Sequence, residues 1–245
     1  MTVQPDVFMD RILALPERQM YERSDLLVSA FEVGRTDGLA VYYAPFDAPN
    51  RPASVVIVGV TPGWTQMQIA FRTARQELLG GASHSTACAE AKVQASFAGS
   101  MRTTLVTMLD AIGLPRCLGI SSSLDLFDTH RTFLHTTSTV RYPVFAGDSN
   151  YTGSGPTLAK SPMLMDFART LLVNELREVD ARVVVPLGRR VDEALAALEN
   201  EGLLPRGRRL AGFPHPSGAN GHRARQFTER QFALAHQLKQ LLCAA

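Results

Sequence analysis

The segment Val55-Val56-Ile57-Val58-Gly59-Val60-Thr61-Pro62-Gly63-Trp64 is the strongest structural signal in this chain. Its first six residues carry no polar side chain, and four of them are valine. A strand with one wet face alternates apolar and polar residues; a continuous run closed by a Pro-Gly turn reads as a strand buried on both faces. A helical pattern follows over Gln66–Leu79. Strand, tight turn and helix in that order are the opening of a parallel α/β unit.

The same grammar extends in both directions. Upstream, amphipathic helices are expected over Asp6–Leu15 and Asp25–Glu32, a strand over Leu39–Tyr43, and a proline-rich loop over Ala44–Ala53. Downstream, helices are expected over Thr86–Phe97 and Arg102–Ile112, and a strand near Phe133–Arg141. A Gly/Ser/Asn-rich loop over Gly147–Gly155 follows. Met163–Arg177 reads as helix, Arg182–Leu187 as a second buried strand, Val191–Glu201 as helix, Arg209–Phe213 as a short strand and Arg225–Leu242 as a closing helix. The alternation predicts one α/β domain over residues 1–245 with a mainly parallel sheet. Right-handed crossovers then gather the loops that follow the strands along one edge, where such folds place their sites.

The chain has 245 residues, 45% hydrophobic and 20% charged, with mean hydropathy near zero. That balance excludes disorder as the global state. The longest apolar runs fall far short of the roughly 18 residues of a membrane span. Asp6, Asp10 and Arg11 interrupt any signal-peptide core. A cytoplasmic protein without membrane contact is therefore expected, and a monomer by default. Cys88, Cys117 and Cys243 are odd in number and widely spaced, so buried free thiols are expected rather than a disulfide framework or a zinc site. The net charge, 25 − 23 = +2, implies no partner. The distribution does: from Pro205 to Arg230, six arginines (206, 208, 209, 223, 225 and 230) face only Glu229. A strip of that kind can meet phosphates.

Two loops follow strands and contain turn residues in a defined order. Gly59-Val60-Thr61-Pro62-Gly63-Trp64 allows close backbone approach to a ligand, and the helix start after it offers N–H groups to an anion. In Phe213-Pro214-His215-Pro216-Ser217-Gly218-Ala219-Asn220, two prolines hold a histidine rigid, as a preorganised hydrogen-bond donor requires. The Ser-Gly-Ala-Asn that follows can hold a phosphate through hydroxyl and backbone N–H.

This pair of loops resembles the two signature loops of the uracil-DNA glycosylase superfamily. His135-Thr136-Thr137-Ser138-Thr139-Val140-Arg141 is similar to the family's uracil-recognition strand, and Val183-Val184-Val185-Pro186-Leu187-Gly188 to its strand-to-glycine segment. The resemblance covers about residues 53–242, leaving an N-terminal helical extension. It implies a three-layer α/β/α fold around a central, mainly parallel four-stranded sheet. It further implies a hydrolase of DNA repair, excising a deaminated or mispaired base by flipping it from the stack and cleaving its N-glycosidic bond. No metal or cofactor is implied, and DNA is the partner.

Carried over by position, His215 would stabilise the leaving base. Gly59, Val60, Pro62 and Gly63 would line the base pocket, with Trp64 and Phe71 as stacking aromatics. Ser217, Gly218 and Asn220 would grip a phosphate, and Arg223 and Arg225 would meet the DNA backbone. The chain departs from the pattern twice. Thr61 and Val60 stand where members carry Asp, Asn or Glu, leaving the Thr61 hydroxyl to hold water. Ser138 replaces the asparagine that reads the uracil edge. These departures keep two other readings open: a non-catalytic lesion or nucleic-acid binder, and a pocket for a free nucleoside or another small molecule. Three further features carry less. Asp125-Leu126-Phe127-Asp128-Thr129-His130 lacks a completing metal ligand. Three cysteines at these spacings cannot hold an iron–sulfur cluster. No P-loop occurs.

Overall fold

Val55–Gly59 does form a strand buried along its whole length, and its two neighbours run parallel to it. The computed structural model describes residues 4–36, 38–97 and 99–243, except for the side chain of Cys243. In chain order the elements begin with α1 (Pro5–Leu13), α2 (Arg23–Leu26), β1 (Glu32–Thr36), β2 (Leu39–Tyr42) and β3 (Val55–Gly59). Then come α3 (Trp64–Leu79), α4 (His84–Ala95), α5 (Ser100–Ala111), α6 (Leu114–Leu118) and β4 (Leu134–Ser138). The remainder is β5 (Val144–Ala146), β6 (Ser149–Asn150), α7 (Pro162–Phe167), α8 (Val173–Val179), β7 (Val183–Pro186), α9 (Arg189–Asn200) and α10 (Arg223–Leu238). A π-helical turn, Ala168–Leu172, joins α7 to α8.

The fold is mixed α/β. Its parallel sheet has the order β4-β3-β7, with Gly59 opposite Ser138 and Val58 opposite Pro186. Successive β3 side chains enter different cores. Val55 and Ile57 pack with Leu105 and Leu109 of α5 and Leu234 and Leu238 of α10. Val56 and Val58 pack with Met67 and Phe71 of α3 and Val191 and Leu195 of α9. Both faces of β3 are therefore dry, which is the physical reason for its unbroken apolar run.

Three expectations need correction. Arg209–Phe213 is not a strand: Arg209 makes a single parallel bridge to Val184, because Ala211 and Gly212 turn away towards α10 and Asp192. The N-terminal portion is not simply helical. Over Asp25–Glu32 only the last two residues of the four-residue α2 are helical, and Glu32–Thr36 is the edge of a second, antiparallel sheet ordered β1-β2-β5-β6. Burying Phe31 against Phe71, and pairing β1 with β2, overrides the local helical pattern. Finally, Cys88 is a buried free thiol, pushed up to about 12 chiefly by burial, but Cys117 is disulfide-bonded. The Cys243 side chain lies outside the described residues. Among the described residues no helix is long and apolar enough to cross a membrane.

Candidate functional site

Parallel register brings the carboxyl ends of the strands to one edge. There Ser138 lies opposite Gly59, Leu187 N–H donates to Val58 O at 2.9 Å, and Gly188 N–H donates to Phe213 O at 2.9 Å. Gly188 has φ of +86°, and a Cβ on it would fall 2.9 Å from His215 Cβ. Only glycine permits that approach, which seats the His215 loop against the turn between β7 and α9.

The His215 ring is held in one tautomer. Ser217 N–H donates to Nδ1 at 3.2 Å, so in the neutral ring the proton is on Nε2, and no described residue pairs with that atom. Burial lowers the ring's pKa from its ordinary value. Asn220 Nδ2 donates to His215 O at 3.2 Å and to Gln226 Oε1 at 3.0 Å. Asn220 therefore braces the loop it belongs to. The edge thus presents a neutral, braced N–H donor.

The first loop is tied down rather than open. The Thr61 hydroxyl donates to Tyr142 O at 2.8 Å and accepts Val144 N–H at 3.1 Å. Its single hydrogen is spent fastening the loop to the start of β5, so it has none left to give a water. The helix start is also partly satisfied. Gly63 N–H donates to Gln66 Oε1 at 2.9 Å and Trp64 N–H to Asn150 Oδ1 at 2.9 Å, which removes two of the N–H groups expected to meet an anion. A Cβ on Gly63 would lie 3.2 Å from Asn150 Nδ2.

The expected stacking aromatics separate. Phe71 has no exposed surface and meets Phe31 edge-on at 4.8 Å between ring centres. It is core, and it cannot stack on a ligand. Trp64 is half-buried with Arg23 over its ring at 5.0 Å. The aromatics beside Ser138 are instead Phe46 and Phe97, which share with Pro62 and Gln66 a cavity of about 30 Å³. That volume suits water rather than a base. Phe97 has φ of +50°, an unfavourable conformation for a bulky residue. It is 5% exposed and belongs to the same core as Val55 and Ile57. Gly153 brings the 147–155 loop close to Val60: a Cβ on it would sit 3.5 Å from Val60 Cγ1.

Half of the basic strip is neutralised. Arg209 pairs with Asp192 and Glu199, Arg208 with Asp180, and Arg225 with Glu229 at 3.6 Å. Arg206 donates to Asn200 Oδ1 at 3.1 Å. Arg223 has no carboxylate partner among the described residues and reaches Ser217 O at 3.4 Å. Gly218 is exposed beside it.

Sequence reasoning missed a buried charged network beside β4. Glu175 of α8 is 2% exposed. Its Oε1 accepts from Lys92 Nζ and His135 Nε2, both at 2.8 Å. Its Oε2 accepts from Thr137 Oγ1 at 2.8 Å and from Arg141 Nε and Nη2 at 3.1 and 3.0 Å. Arg141 and the Tyr142 hydroxyl also donate to Asp47 Oδ1, each at 2.8 Å. Burial pushes the Glu175 carboxyl up, but Lys92, Arg141 and His135 outweigh it and hold the group well below the ordinary range. Burial brings His135 down to about 4, with Lys92 adding to it. A lysine and a glutamate on the inner faces of two helical patterns were the available signal. Nothing local says that they meet.

No protein-family model matches the chain. A protein of Bacillus subtilis (strain 168) named Uncharacterized protein YoxB is 40% identical to it over 234 residues, covering 95% of this chain and 91% of the relative.

Proposed function

The chain belongs to the family of YoxB, and we propose that it is a DNA base-excision glycosylase with its site at the carboxyl edge of the parallel sheet. The reading takes the fold as a divergent three-layer relative of the uracil-DNA glycosylases. It is supported by helices on both faces of β3 and by the Val184–Arg209 bridge, which continues the parallel order by one residue.

The observation that carries the proposal is the fixed tautomer of His215, whose Nδ1 accepts the Ser217 N–H. Cleaving an N-glycosidic bond leaves negative charge on the departing base. A neutral Nε2–H already oriented towards that charge stabilises it without reorganisation, an effect for which one donor is worth about 100- to 1,000-fold in rate. Arg223, with no carboxylate partner among the described residues, serves the phosphate backbone beside Ser217 and Gly218. A flipped base requires the small cavity beside Ser138 to widen, and Phe97 is the wall residue already in a strained backbone conformation.

A second reading, a lesion binder without turnover, is favoured by Thr61. Its hydroxyl is occupied by Tyr142 and Val144, and no carboxylate replaces it in that loop. Single-turnover assays separate the two. Enzyme in excess is mixed with oligonucleotides carrying uracil, hypoxanthine, xanthine or mispaired thymine. Release that His215→Ala abolishes supports the glycosylase and names its base. Saturable binding of one of these oligonucleotides without release from any of them supports the binder. Neither release nor preferential binding overturns both.

A further inference from the structure

A cavity of about 280 Å³ opens away from the carboxyl edge, beside the amino-terminal half of β4. It lies between the loop before β3, the inner face of α4 and the turns at residues 123–133. One wall is apolar, formed by Val93, Leu126, Phe127 and Leu134. Lys92 and Arg131 also line it, and no aspartate or glutamate is among its lining residues.

The cations there are under-satisfied. Lys92 is 7% exposed. Its ammonium has three hydrogens, of which Ala48 O and Glu175 Oε1 take two, at 3.1 and 2.8 Å. Arg131 uses only Nε, donating to Phe127 O at 3.1 Å. Arg102 lies against two wall residues, donating to Ser96 O at 2.6 Å and stacking over Phe127 at 5.0 Å. Its Nε is buried with no partner, and neither arginine has an ion pair among the described residues. Burial, and then the positive charge of Arg131, lower the pKa of Arg102. Two neighbouring guanidiniums with no ion pair among the described residues can take an anion between them.

The wall is also rigid. Asn50 Nδ2 donates to Arg131 O at 2.9 Å and Leu134 O at 2.8 Å, and Asn50 N–H donates to His135 Nδ1 at 3.2 Å. We infer that this cavity binds a small organic anion: one carboxylate or phosphate held by Lys92 and Arg131, with Arg102 adding positive charge behind the wall, on a flat apolar body about one ring in size. The volume lies just below the range typical of drug-sized ligands, and the apolar wall has no use for a second charge. The site stands apart from His215 and does not depend on the glycosylase reading.

Calorimetric titration of the full chain with phenyl phosphate, benzoate, benzylamine and inorganic phosphate tests it. Phenyl phosphate or benzoate should bind saturably, and inorganic phosphate at least about tenfold more weakly, since it leaves the apolar wall unused. Arg131→Gln, a change at an exposed side chain, should weaken the organic anion about tenfold or more. His215→Ala should leave that affinity unchanged. Benzylamine binding as tightly as benzoate, an unchanged affinity in Arg131→Gln, or no saturation by either organic anion at millimolar concentration would overturn the assignment.

Discussion

His135 Nε2 lies 2.8 Å from Glu175 Oε1, while its Nδ1 accepts the Asn50 N–H. The ring is therefore neutral, with its proton on Nε2. Burial depresses its pKa to about 4, whereas the ordinary value is 6.5. Between those two pH values the unfolded chain binds more protons than the folded one, so stability falls as the pH drops through that window. The loss attributable to this group amounts to about 3 kcal/mol by pH 4. Urea melts at half-unit pH intervals should show it, and His135→Asn should flatten the slope. Equal slopes in the two proteins would refute the assignment.

Glu175→Ala should be far more damaging than a change at a surface pair. It strands Lys92, Arg141 and His135 without their acceptor, and breaking a buried pair from one side costs about 3–5 kcal/mol. Arg225→Ala breaks an exposed pair with Glu229 and should cost under about 1 kcal/mol. Parallel chemical denaturation of the two variants checks the contrast.

Thr61→Val removes the hydroxyl and leaves Tyr142 O and Val144 N–H without this partner. A loss of about 1–3 kcal/mol is expected, largely restored in Thr61→Ser. If Thr61 instead positioned water, Thr61→Val would keep its denaturation midpoint and lose base release alone.

Arg223 and Arg225 were equivalent candidates for DNA contact by sequence. They separate in the structure, because Arg225 is paired to Glu229 and Arg223 to no carboxylate among the described residues. Losing Arg223 should reduce the slope of log affinity against log salt by roughly one, whereas losing Arg225 should change it less. Binding isotherms at several salt concentrations decide this. Identical slopes in both variants and the parent would remove Arg223 from the interface.

The sequence alone determined what depends on near neighbours along the chain. Val55–Gly59 and Val183–Pro186 were legible because strands covered on both faces must be continuously apolar. The helices over Trp64–Leu79 and Arg189–Asn200 were legible from their periodicity. The proline-flanked His215 was also visible, since proline and glycine act locally. Tertiary structure alone decided which distant groups meet. The antiparallel sheet escaped notice because Glu32–Thr36 and Ser149–Asn150 are short and polar, and only pairing across the chain makes them strands. Phe71 reads as a stacking aromatic by its position in the sequence, yet the packing of Phe31 against α3 makes it core. The arginines of residues 206–230 formed a free basic strip on paper, but Asp180, Asp192 and Glu199 arrive from other elements to neutralise Arg208 and Arg209. Charge compensation acts through space, over separations that no local window spans. Lys92, His135, Arg141 and Glu175 were therefore unconnected in the sequence and became one buried network only when β4, α4 and α8 were packed together.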